Sequence, residues 1–203
     1  MIKDEFINAV GAYTSEPGNA ARLWLEIEKC YNRSDRHYHT LAHLENLLNE
    51  LQPYRDSVNW HTIVFAIAYH DAVYNTLKSN NEEKSADLAV KRLASIAFHE
   101  SDCMQCKKLI LATKKHEFAD DETNLFTDAD LAILGADPHV YTAYTGQIRR
   151  EYKIYPDLVY KPGRKKVLQH FLDMNTIYKT EAFRGKYEDQ ARANLYTELK
   201  SLG

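Results

Sequence analysis

The stretch from Ile63 to Tyr74, Ile-Val-Phe-Ala-Ile-Ala-Tyr-His-Asp-Ala-Val-Tyr, constrains this chain more than any other. Apolar side chains recur at Ile63, Ile67 and Val73, with Val64 and Ala68 beside them. That pattern predicts a helix to about Val73, buried on most of its circumference. Its carboxyl end carries His70 and Asp71. Burying a neutral polar group without a partner costs roughly 2–7 kcal/mol, and a carboxylate costs more. The pair therefore needs a compensating partner, and a divalent cation is the economical one. A lone His-Asp dipeptide is usually a surface pair or a helix terminus, so the weight rests on its company. Upstream lies Arg36-His37-Tyr38-His39-Thr40-Leu41-Ala42-His43, and downstream Thr127-Asp128-Ala129-Asp130-Leu131. One histidine, then adjacent His-Asp, then Asp is a metal set collected from three helices.

The remaining composition decides what scaffold could hold such a set. At 203 residues, the expectation is a single domain over 1–203 with a core large enough to need no disulfide. Seven Gly and five Pro leave little room for the turns of an all-β fold, so the reading is an all-α helical bundle. The net charge of −3 argues against broad nucleic-acid binding, while a local basic pocket for a phosphate stays open. Cys30, Cys103 and Cys106 form no disulfide framework, which fits a reducing cytosol. Cys103-x-x-Cys106 reads as structural. No leader pattern and no run of the roughly 18–20 apolar residues that cross a bilayer is present, so the expectation is a cytoplasmic protein without membrane contact.

Along the chain, helices are expected over Ile2–Ala12 and Ala20–Tyr31, then a polar loop to Thr40 and a helix from Leu41 to about Tyr54. His39 and His43, four residues apart, could share a helical face, or His39 could stand on the entering loop. Asn59 is the expected cap of the central helix, and Asn80 with Glu83 resembles a capping box. A further helix should run from Ser101 or Asp102 to about His116. Glu117–Asn124 reads as a loop, and Phe126–Leu134 as a short helix with Asp128 as its cap, which leaves Asp130 as a ligand. Asp137-Pro138 opens the next helix. Ile154–Gly163 reads as a loop before a helix begun by Arg164-Lys165-Lys166, and a last helix spans about Tyr187–Leu202.

Several of these stretches resemble one family. Arg36-x-Tyr38-His39-x-x-x-His43, His70-Asp71-x-x-Tyr74, Asn81-Glu82-x-x-Ser85-Ala86 and Asp128-Ala129-Asp130-Leu131-x-x-Leu134-Gly135 are similar to the HD-domain metal-dependent phosphohydrolases, in particular a small bacterial branch. The resemblance covers most of the chain. It implies a helical bundle of the HD type and a metal held by His43, His70, Asp71 and Asp130, with Asp128 and Asp130 open to exchange. The Tyr-His-x-x-x-His pattern also resembles cyclic-nucleotide phosphodiesterases, where the second histidine binds metal and the first protonates the departing oxygen. Carried over, His43 is the ligand and His39 the acid.

The same resemblance keeps Glu82 open as a catalytic residue that supports the metal or activates its water, against the ordinary reading of an acidic first helical turn. It keeps His116 open as a further histidine lining the site. Arg36, as a planar fork of donors, suits a phosphate, and Lys115 and Arg164 are basic candidates for the same anion. Two imidazoles and two carboxylates suit Mn, Fe, Co, Ni or Zn, with Mg also open. The implied activity is hydrolysis of a small phosphate ester or nucleotide. The alternative is a non-catalytic metal- and nucleotide-binding sensor module on the same fold. Substrate stays open, because the superfamily hydrolyses nucleotides, cyclic nucleotides and alarmones on one scaffold.

Overall fold

The computed structural model describes all residues, Met1 to Gly203, and contains ten α-helices and no strand. The all-α expectation holds. The chain divides into two units, Met1–Glu117 and Phe118–Gly203.

The first unit holds α1 (Ile2–Gly11), α2 (Asn19–Tyr31), α3 (Leu41–Leu51), α4 (Trp60–Tyr69), α5 (Asn81–Ala94) and α6 (Glu100–Ala112). The central helix is α4, in which every residue except His61 is buried, and it packs against α1, α3, α5 and α6. Phe6, Trp24, Phe65 and Tyr69 interlock at this core, with Phe6 edge-on to Phe65 at 5.6 Å. Edge-to-face packing places the positive ring edge on a negative ring face. Asn59 caps α4 as expected, accepting from the Thr62 backbone N–H at 3.3 Å. Asn80 does not act as a side-chain cap for α5. Its expected partner Glu83 instead pairs with Lys114. Cys103 and Cys106 are buried free thiols whose ionisation burial pushes up, which makes them poor nucleophiles.

The central helix stops earlier than its apolar pattern predicts, at Tyr69 rather than Val73. The last carbonyls of a helix lack backbone partners, and a histidine ring can supply one. Here His70 Nδ1 donates to the Ile67 carbonyl at 2.9 Å, so His70 closes the helix with its own side chain.

The second unit holds α7 (Asp121–Asp130), a 3₁₀ segment (Leu131–Gly135), α8 (Pro138–Glu151), α9 (Asp157–Asp173) and α10 (Glu181–Ser201). Three boundaries differ from expectation. The second half of the acidic stretch expected to be a loop, from Asp121 to Asn124, is the first turn of α7, because Asp120 caps it by accepting from Thr123 N–H at 3.1 Å. Asp128 is therefore in the last turn of α7 and cannot be its N-cap. From Asp157 onward the stretch expected to be a loop before Arg164 belongs to α9, with Pro162 inside the helix. That proline removes the bond to the Leu158 carbonyl. Leu158 is 91% exposed, so water is available to the freed group. Finally, α10 begins six residues before the expected Tyr187, at Glu181. Gly135 is required by this packing. A Cβ there would lie 2.6 Å from the Tyr187 Cβ and 2.7 Å from its carbonyl oxygen.

Candidate metal centre

Two pieces of the first unit meet at the end of α4. One is the loop before α3, which carries His39, and the first turn of α3 itself, which carries His43. The other is the turn after α4, with His70 and Asp71. The open question about His39 is thus resolved in favour of the loop.

His43, His70 and Asp71 each turn a donor atom toward the same place. His43 Nε2 lies 3.1 Å from His70 Nε2. Asp71 Oδ2 lies 3.2 Å from His70 Nε2 and 4.0 Å from His43 Nε2. A carbonyl only accepts, so the bond to Ile67 fixes a proton on His70 Nδ1 and makes Nε2 the lone-pair atom of the neutral ring. Two imidazole nitrogens this close need a proton or a cation between them. Metal–imidazole bonds of about 2.1 Å at right angles place two donors about 3.0 Å apart, so the two short separations suit neighbouring ligands of one ion. The donor set therefore fits a divalent cation, and the His70–Ile67 bond is the kind of outer contact that orients a ligating histidine.

The electrostatics agree with the geometry. Burial alone would raise the Asp71 carboxyl, but its electrostatic and hydrogen-bond interactions with the imidazoles of His70, His39 and His43 outweigh it and hold the group well below the usual carboxylate range. His39 stands beside the cluster, its Nε2 3.8 Å from Asp71 Oδ2, and packs against the Tyr74 ring at 4.4 Å. His43 and His70 are deeply buried, whereas the side chains of His39 and Asp71 are 18% and 17% exposed. One side of the cluster is reachable from water.

The other expected site residues have different positions. Arg36 is buried with its fork on backbone carbonyls, not presented to an anion. Glu82 lies 3.9 Å from Lys114, and exposed Lys115 lies 3.5 Å from Glu117. His116 sits on a left-handed turn after α6, at φ 53°, outside the three-donor group. In the second unit, Asp130 is the half-buried last residue of α7. Arg164 does not open a helix. It lies in the middle of α9, with both arms of its fork on Glu198 at 2.7 and 2.9 Å and the Tyr144 ring below it. A guanidinium already matched to a carboxylate has no fork left for a phosphate.

Sequence reasoning missed the groups that hold the His-Asp turn in place. Asp71 N–H donates to the hydroxyl of Tyr31, and Val73 N–H to the hydroxyl of Ser85 at 3.0 Å. Asn81 exchanges two bonds with the backbone of Asn75. The Asn-Glu-x-x-Ser-Ala stretch carries both Asn81 and Ser85, beside the more conspicuous charge of Glu82. Nothing in the sequence marks Tyr31.

These features define an all-helical chain with a three-donor His-His-Asp centre. No family model, curated protein or solved structure matches it. No helix is long and apolar enough to cross a membrane.

Proposed function

We propose that this chain is a metal-dependent phosphohydrolase acting on a small phosphate ester or nucleotide, as the resemblance to HD-domain enzymes implies. The observation that carries the reading is the convergence of His43 Nε2, His70 Nε2 and Asp71 Oδ2, with the His70 lone pair directed inward by the Ile67 carbonyl. These three residues hold the ion. A bound divalent ion of the Mn, Fe, Co, Ni, Zn or Mg kind makes water more acidic and draws charge from phosphoryl oxygens. His39 sits beside Asp71 and partly open to water, where it can hold a proton on Nε2 and give it to the departing oxygen.

The experiment is a panel of nucleotides, cyclic nucleotides, alarmones, sugar phosphates and aryl phosphates, run with Mn, Co, Ni, Mg and Zn in turn. Wild type should turn over at least one class. His39→Ala should keep its metal and lose roughly 10²–10⁴ in turnover, least for aryl phosphates, whose leaving group needs little protonation. Equal slowing of every substrate overturns the acid role. The alternative is a metal- and nucleotide-binding sensor without turnover. A metal-loaded protein inactive on the whole panel supports that reading.

A further inference from the structure

We infer that Arg36 is a positioning residue for this centre: its guanidinium clamps the loop carrying His39 to the turn carrying Asp71, so that the two halves of the site keep one geometry. The chemical consequence rests on the metal reading above, whereas the clamp itself is read from contacts. Nη1 donates to the carbonyl of His39 at 3.1 Å. Nη2 donates to the carbonyls of Asp71 at 2.7 Å and Ala72 at 3.1 Å. One planar group thus holds both segments at once. A lysine ammonium, a compact point charge on a flexible stem, does not reproduce that span.

The rings beside the guanidinium repeat the pattern. Its carbon lies 4.7 Å from the Tyr31 ring centre and 5.2 Å from that of Tyr74. Tyr31 accepts the Asp71 backbone N–H through its hydroxyl, and Tyr74 packs on the His39 ring. Each aromatic contact of Arg36 therefore touches one half of the site. Arg36 is 4% exposed and its Nε has no hydrogen-bond partner. A buried donor left unsatisfied is a poor choice for stability alone. It accords with a side chain placed for where it holds the backbone.

The test compares wild type with Arg36→Lys and Arg36→Met. Hydrogen exchange on metal-free protein reads the clamp without the ion. In both variants, amides in 37–43 and 70–75 should exchange at least about 10-fold faster while α6 stays as protected as in wild type. If the Met variant loses protection throughout, the Lys variant decides the matter. Faster exchange in 37–43 alone, or no change in either segment, overturns the inference. Free Mn²⁺ followed by electron paramagnetic resonance should then show affinity about 10–100-fold weaker in both variants. With an aryl phosphate, kcat should fall and KM stay unchanged. A raised KM with unchanged Mn²⁺ affinity, partly restored by lysine, would make Arg36 a phosphate clamp and overturn the inference. If both segments loosen but wild type binds no Mn²⁺, the clamp is supported and the metal reading fails, so the two failures are distinguishable.

Discussion

Asp71 and Asp128 are both aspartates at the ends of helices with apolar surroundings, and their partners make them different chemical objects. Asp128 is fully buried and saturated with donors. It accepts the Lys179 backbone N–H at 2.9 Å, the Thr180 N–H at 2.7 Å and the Thr180 hydroxyl at 2.8 Å, with the Lys179 ammonium 3.5 Å away. Its carboxylate fastens the start of α10 and has little left to offer a ligand. The Asp71 carboxylate instead faces imidazoles, groups that can give up their protons to a metal. A buried carboxylate surrounded by backbone N–H groups is part of the fold, whereas one surrounded by imidazoles is a candidate ligand.

Asp128→Ala should break the comparison on the structural side, since it removes the fastening of α10 and leaves a buried ammonium unpaired. Loss of one partner of such a pair costs about 3–5 kcal/mol, read as a lower urea midpoint. Metal content per folded chain should stay unchanged. Asp71→Ala should show the opposite profile. It should lower metal affinity by more than the roughly 10–100-fold that loss of an outer partner costs, while destabilising the metal-free protein less than Asp128→Ala does. Equal metal content in Asp71→Ala and wild type, both purified with metal in excess, would sink the metal assignment. Asp130→Ala, assayed alongside, tests the fourth ligand that the sequence resemblance implies.

Smaller effects sharpen the contrast. Asn59→Ala removes the cap of α4 and should cost about 1 kcal/mol without altering metal affinity. Lys179 gives the smallest effect, with a definite sign. Burial outweighs the attraction of Asp128 and lowers the Lys179 ammonium from its ordinary value. The unfolded chain then binds more protons than the folded one between the lowered value and the ordinary 10.5, so stability contributed by this group rises with pH across that window. Lys179→Met should abolish the rise and be nearly neutral at pH 7, because Asp128 keeps its backbone donors. A difference between wild type and Lys179→Met that falls as pH climbs would show that pairing, not burial, dominates.

The sequence by itself determined the helical class, because apolar residues at helical spacing and few glycines or prolines leave no other economical way to bury the core. It also determined the chemically distinctive part of the site. His70 and Asp71 are legible because a histidine beside a carboxylate is unusual at the end of so apolar a helix, and His43 because its Tyr-His-x-x-x-His pattern resembles that of a metal-binding family. Only the tertiary structure decided which charged groups are already engaged. Arg36 and Arg164 looked like anion receptors in a linear reading, yet one is forked onto carbonyls and the other onto Glu198. The early start of α10 was invisible for the same reason, since its fastening comes from Asp128 on another helix. Local pattern reports which face of a helix is apolar. The partner of a buried charge is contributed by a distant part of the chain, and nothing in neighbouring residues encodes it.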